Sequence, residues 1–205
     1  MTSNLLRIGA SVCLFLLLGA CGSSPQSNFY RLTPGVEPIP GGQKPSLGVG
    51  PVDVPEFLNR NSMVYTRGGN QLQISGTERW AEPLEYGISR VVGLNLSALM
   101  QSENLRFFPW DVRQAPDYGV RISVLDLDAR EGQATLIVDW LIYRPKDGAH
   151  LSRQIRQFSQ TLPSGQLQPA ELPAAYSALL YQLSETIAEA INVEMRREAT
   201  TPEVN

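Results

Sequence analysis

Thiols and imidazoles are nearly missing from this chain: its 205 residues include two cysteines, Cys13 and Cys21, and one histidine, His150. That scarcity excludes a disulfide framework of several bridges and a zinc site of usual composition, which needs several Cys or His ligands. His150 follows Gly148-Ala149 in a turn and reads as a solvated loop residue rather than a catalytic base. A basic excess is missing too. Lys and Arg number 17 against 20 Asp and Glu, a formal charge of −3, so nucleic acid is not an expected partner. The N-terminal apolar run, Ile8 to Leu18, is 11 residues long. A membrane-crossing helix needs about 17 to 25, so this run cannot span.

What is present begins with that run. Arg7 precedes it, and its length is that of a signal-peptide core. The following Leu18-Gly19-Ala20-Cys21 resembles the lipobox of bacterial lipoproteins. The resemblance implies diacylglycerol on the Cys21 sulfur, cleavage before Cys21 and acylation of the new amino terminus. Cys13 leaves with the signal, so the 185-residue mature chain keeps no free thiol, and no cofactor is expected besides the covalent lipid. A single myristoyl chain binds a membrane only marginally, whereas a three-chain anchor holds effectively permanently. Gly22, in place of aspartate, resembles lipoproteins passed on to the outer membrane.

The chain therefore divides into a signal peptide (1–20), a lipidated tether (21–28), a folded domain (29–197) and a disordered tail (198–205). The tether after Cys21 is small and polar, and its seven residues reach at most ~25 Å when extended. Its domain must sit close to the membrane and cannot bridge two membranes alone. At 42% hydrophobic residues, the composition is that of a folding chain.

Periodicity supplies the elements. Phe29 to Leu32 is strand-like, and Thr33 to Ser46, with four prolines, is a loop. Leu47 to Val54 reads as a strand; Met63 to Thr66 and Gln71 to Ser75 read as strands joined by Arg67-Gly68-Gly69-Asn70, whose glycines suit a tight turn. Leu84, Ile88, Val92, Leu96 and Leu99 share one face of a helix over 83–101, with Pro83 at its first position. Leu105 to Phe108 is a short strand. In Tyr118 to Arg130 the apolar positions switch from even (Val120, Ile122, Val124) to odd (Leu125, Leu127), as a β-bulge produces. In Ala134 to Tyr143 the even positions are continuously apolar. The odd positions Ile137, Leu141 and Tyr143 are apolar as well, which predicts a central strand covered on both sides or else an exposed face for self-assembly or an acyl chain. Leu151 to Leu162 is more polar, a candidate edge strand. Leu172, Tyr176, Leu179, Leu183, Ile187 and Ile191 define a helix over 171–197. The expected fold class is α+β, with a single mixed or antiparallel sheet packed against two helices.

Motifs with chemistry mostly fail. Gly87-Ile-Ser89-Arg-Val91 lacks the second glycine of a nucleophile elbow and lies inside the expected helix. Asp126-Leu-Asp128-Ala-Arg130-Glu131-Gly132 breaks the calcium-loop pattern, with arginine at the fifth position and glycine one residue late. Asp126 and Asp128 could do acid/base work as a pair, but read more simply as the solvated end of a strand. Gly48-Val-Gly50-Pro51 lacks the third glycine of a dinucleotide loop. Pro55-Glu-Phe-Leu-Asn-Arg-Asn61 stands out: Phe57 and Leu58 either plug the core or, with Arg60, offer a protein contact surface.

The lipobox, Asn28-Phe-Tyr30-Arg-Leu32, Val52-Asp-Val-Pro55-Glu-Phe-Leu58, Val64-Tyr65 and Trp80-Ala-Glu-Pro83-Leu84, opening a helix with Asn95-Leu-Ser97, occur in order. Together they resemble the ABC-type transport auxiliary lipoproteins, the PqiC-like family. The resemblance implies a non-enzymatic component of a mammalian-cell-entry (MCE) type lipid transport system. Its partners would be an MCE-domain protein and the ABC transporter permease, met at the periplasmic face of the outer membrane; some relatives sit with the inner-membrane complex. Phe57, Leu58, Arg60 and Trp80 are the partner-binding candidates, and a cyclic homo-oligomer would match a ring-like partner. A stand-alone periplasmic lipid- or small-molecule-binding lipoprotein is the alternative, and a hydrolase using Asp126 and Asp128 is a third reading.

Overall fold

The computed structural model describes residues 25–37 and 41–200. Cys21, its lipobox and residues 201–205 lie outside them. The strands are β1 (Asn28–Tyr30), β2 (Leu47–Asp53), β3 (Ser62–Gly68), β4 (Gln71–Trp80), β5 (Leu105–Phe107), β6 (Tyr118–Arg130), β7 (Gln133–Arg144) and β8 (Ala149–Thr161). The helices are α1 (Leu84–Met100) and α2 (Leu172–Thr200).

The fold is α+β, but its strands form two sheets where one was expected: a five-stranded sheet ordered β5-β2-β6-β7-β8 and a three-stranded sheet ordered β1-β4-β3. The split has a local cause. β2 pairs with β6 only as far as Asp53↔Ser123. Beyond that point β3 lies beside β6, joined through a side chain: the buried Asp128 carboxylate accepts the Thr66 N–H at 2.8 Å. A carboxylate stands where a ladder of backbone bonds would have merged the sheets.

The alternation in β7 sets the core. Ala134, Leu136, Val138, Trp140 and Ile142 are all fully buried under the helices. Leu84, Ile88, Val92 and Leu96 of α1 and Leu172, Tyr176, Leu179, Leu183, Ile187 and Ile191 of α2 meet them. Each such side chain contributes about 1.5–3 kcal/mol on burial. The bulge in β6 falls between Val124 and Asp126, leaving Leu125 49% exposed. β8 is the sheet edge, as its polarity suggests.

The odd-numbered side of β7 departs from the expectation of cover on both sides. The helix packed on β7, α2, lies on the even side. On the odd side Leu141 is buried at 7%, between Arg121 and Arg153 on the flanking strands, while Ile137 and Tyr143 stay half-buried; the Arg121 guanidinium sits 5.7 Å from the Tyr143 ring centre, and Arg153 binds Asp139 at 2.5 Å. α2 also continues through Thr200, past the expected 197, because Glu198 accepts the Tyr118 hydroxyl at 2.6 Å and pairs with Arg144.

A strap after β1 crosses the helices before the chain enters β2. Thr33 N–H donates to Ser177 Oγ (3.0 Å) and Gly35 N–H to Asn95 Oδ1 (2.9 Å). A Cβ on Gly35 would lie 2.6 Å from the Tyr181 ring, so glycine is needed for this approach. Asn95 is fully buried, and its Nδ2 donates to Ser184 Oγ at 3.3 Å. One amide thus joins strap, α1 and α2.

Candidate docking site

The loop after β2 is compact. Pro55 precedes a single 3-10 turn, Glu56–Leu58, closed by Leu58 N–H to Pro55 O (2.9 Å) and Asn59 N–H to Glu56 O (3.1 Å). The turn drives Leu58 into the core at 3% exposure and lays Phe57 partly buried against it, so these two plug the core. Arg60 is left in solvent. The loop is stitched to the end of β4 by Trp80 N–H to Asn61 O (2.6 Å), and β4 to β1 by Ala81 N–H to Tyr30 O (2.7 Å).

Trp80 itself is 4% exposed and stacks on Tyr176 with ring centres 6.1 Å apart. Full burial pushes the Tyr176 phenol above its ordinary range, and the Asp128 and Asp126 charges add to this. Behind Trp80, Glu82 pairs with Arg90, whose guanidinium also donates to Leu32 O at 3.0 Å. Pro83 caps α1, which begins one residue later at Leu84. The structure thus brings Phe57, Leu58, Arg60 and Trp80 to one end of the domain. Leu58 and Trp80 are buried there, Phe57 is partly buried, and Arg60 stands exposed. Cys21 lies outside the described residues.

Leu72 at 45% and Ile74 at 47% are exposed toward the start of β4, near its hairpin turn, whereas Phe29 at 65% and Tyr86 at 63% flank the Trp80 end. Under them, Asn28 Nδ2 donates to Glu78 Oε1 at 3.0 Å. Hydrogen bonding from Tyr30, then from Asn28, holds the Glu78 carboxyl below its usual range. Leu72 and Ile74 were legible as strand residues but not as exposed ones. The available signal was charge: residues 62–77 hold no carboxylate at all.

One member of the acid pair is engaged structurally. Asp128 accepts Thr66 N–H and Arg130 Nε, both at 2.8 Å, so each of its oxygens has a partner. Burial, with the Asp128 charge behind it, raises the Asp126 carboxyl. The two line an open cleft of about 520 Å³ with Arg130, Glu131, Gln133 and Thr135. His150 is exposed, and among the described residues no group of three His, Cys, Asp or Glu side chains could hold a metal.

At the opposite end, Lys44, Asp117, Tyr118, Arg144, Lys146 and Glu198 line a cleft of about 340 Å³. Burial and the Glu198 hydrogen bond push the Tyr118 phenol up. Asp117 loses to burial but gains more from Ser46 and Lys146, so its carboxyl lies below the usual range. This cluster joins residues some 80 positions apart, a separation with no local signal.

Residues 30–188 match the family model described as the ABC-type transport auxiliary lipoprotein component. Two solved structures share the fold. An uncharacterized protein is 19% identical with a TM-score of 0.66, covering 82% of this chain and 99% of its own. A Xanthomonas campestris protein of the DUF330 family is 16% identical with a TM-score of 0.65, covering 85% and 100%. No curated protein matches the sequence.

Proposed function

The chain belongs to the ABC-type transport auxiliary lipoprotein family, and from that premise we propose that it is the lipid-anchored docking component of an MCE-type intermembrane lipid transporter. In this reading the protein is non-enzymatic. Acylated Cys21 holds it at the periplasmic face of the outer membrane, where it receives the MCE-domain protein whose ABC permease sits at the inner membrane. The observation that carries the reading is the extent of the family match, which begins at the first strand and ends deep in the last helix. The ordered lipobox and the short tether agree with it.

Arg60 and the exposed side chains around it offer the contact surface, and copies arranged in a ring would present that surface repeatedly to a symmetric partner. The alternative, a stand-alone lipid binder, predicts an enclosed apolar cavity. The clefts described above are open and lined largely by charged groups, which gives it no support.

The test is affinity capture of the lipidated protein from membranes, with a photo-crosslinker at position 60. Co-enrichment of an MCE-domain protein and a permease subunit is the expected result. Capture of neither, from membranes shown to contain both, would sink the proposal.

A further inference from the structure

We propose that the β3–β4 hairpin rests on the lipid surface that holds the Cys21 anchor, with Leu72 and Ile74 at the headgroup–acyl boundary and Arg67 against lipid phosphates. The inference rests on the anchored-lipoprotein reading above and adds an orientation to it.

Direction comes from register. β1 runs parallel to β4, with Asn28↔Glu78, Phe29↔Arg79 and Tyr30↔Trp80. Followed backward from Asn28, the chain therefore leaves the domain along β4 toward its beginning at Gln71. Cys21 is seven residues before Asn28, and Gln71 is seven before Glu78. An extended tether covers about 3.3 Å per residue, so its reach of roughly 23 Å matches the length of β4 it would run beside. The lipidated end can thus lie level with the hairpin turn, and the bilayer can be no farther from Asn28 than that reach.

Composition agrees with the geometry. Leu72 and Ile74 pair across the hairpin with Thr66 and Val64, so all four share one side of the ribbon. Thr66 and Val64 are covered, whereas Leu72 and Ile74 remain 45% and 47% exposed. Arg67 stands in solvent beside the turn, where Gly69 supplies a φ of +54°. From Ser62 to Thr77 the charge is that one cation, in a chain with 20 carboxylates elsewhere. An apolar pair flanked by a cation and free of acid suits an anionic lipid surface, where each basic side chain near the headgroups is attracted.

The mature chain makes the test clean, because its one cysteine is consumed by the anchor. Leu72→Cys, Ile74→Cys and, as a control on the exposed side of α2, Glu189→Cys each carry a polarity-sensitive fluorophore on the full lipidated protein. The proteins are reconstituted in phosphatidylethanolamine/phosphatidylglycerol vesicles containing nitroxide-labelled lipid, and the Cys21 peptide is weighed by mass spectrometry. The expected result is quenching of about twofold or more at 72 and 74, with little at 189. Iodide-accessible, lipid-unquenched labels at both hairpin positions on protein with acylated Cys21 would overturn the hairpin contact while leaving the anchor intact. An unmodified Cys21 would overturn both. Protection at 72 and 74 only after an MCE-domain protein is added would overturn the lipid contact and assign the hairpin to the partner.

Discussion

On the helix side of the domain, Asn95 is fully buried and ties three segments that lie 60 and 89 residues apart in sequence. On the hairpin, Leu72 and Ile74 are nearly half exposed, and among the described residues the Arg67 guanidinium meets only Gln73, at a long 3.5 Å. Polar groups are sealed inside one region while apolar groups stand outside in the other. A buried amide is retained where several backbones must be held in one arrangement, since each loses a partner if it is removed. The exposed apolar side chains serve no such purpose in the isolated domain, which agrees with the lipid contact proposed above.

The comparison is sharpened first at its most expensive point. Trp80→Ala removes a buried ring stacked on Tyr176 and is expected to destabilise by about 3–5 kcal/mol, read as a lowered urea midpoint. A loss below about 1 kcal/mol would mean that this end is not packed as described. Asn95→Ala leaves the Gly35 N–H without its acceptor and Ser184 without its amide contact, for an expected cost of about 1–3 kcal/mol by the same measurement.

Acid provides a third test. The folded state holds the Asp117 carboxyl below its unfolded value, so its contribution is present above about pH 4 and is lost as pH falls through the lower, folded value. Asp117→Asn should lower the thermal midpoint at pH 6 and flatten its fall between pH 4 and 3. An unchanged slope would remove Asp117 from the acid response. The smallest effect belongs to the hairpin: Leu72→Ser with Ile74→Ser should leave the urea midpoint within about 0.5 kcal/mol per site. A large loss there would erase the contrast between the two regions.

The features legible in the sequence are those with a local period. The even positions of β7 specify the buried face, and the switch of parity between Val124 and Leu127 marks the bulge. The helix stripes of α1 and α2 are equally direct. The division into two sheets is different, since it turns on one carboxylate, Asp128, reaching a backbone N–H 62 residues away. The single-sided helix cover of β7 escaped for a related reason: Leu141 is buried between Arg121 and Arg153 on the flanking strands rather than under a helix, and Ile137 and Tyr143 stay half-buried. Among the docking candidates, Arg60 reads correctly as a surface cation. Leu58 follows the reading of the loop as a plug on the core, whereas the burial of Trp80 depends on an aromatic partner on another helix, which has no spacing signature.

The parallel pairing of β1 with β4 also decides how the domain answers a tug on its leading end. Tension applied ahead of Asn28 acts along the strand axis, so the three rungs of the pair are sheared together rather than peeled one after another. Behind them, the bonds to Ser177 and Asn95 take up the strain before it reaches β2. The fold is thereby a mooring as well as a scaffold, set to bear load at the point where the chain enters it.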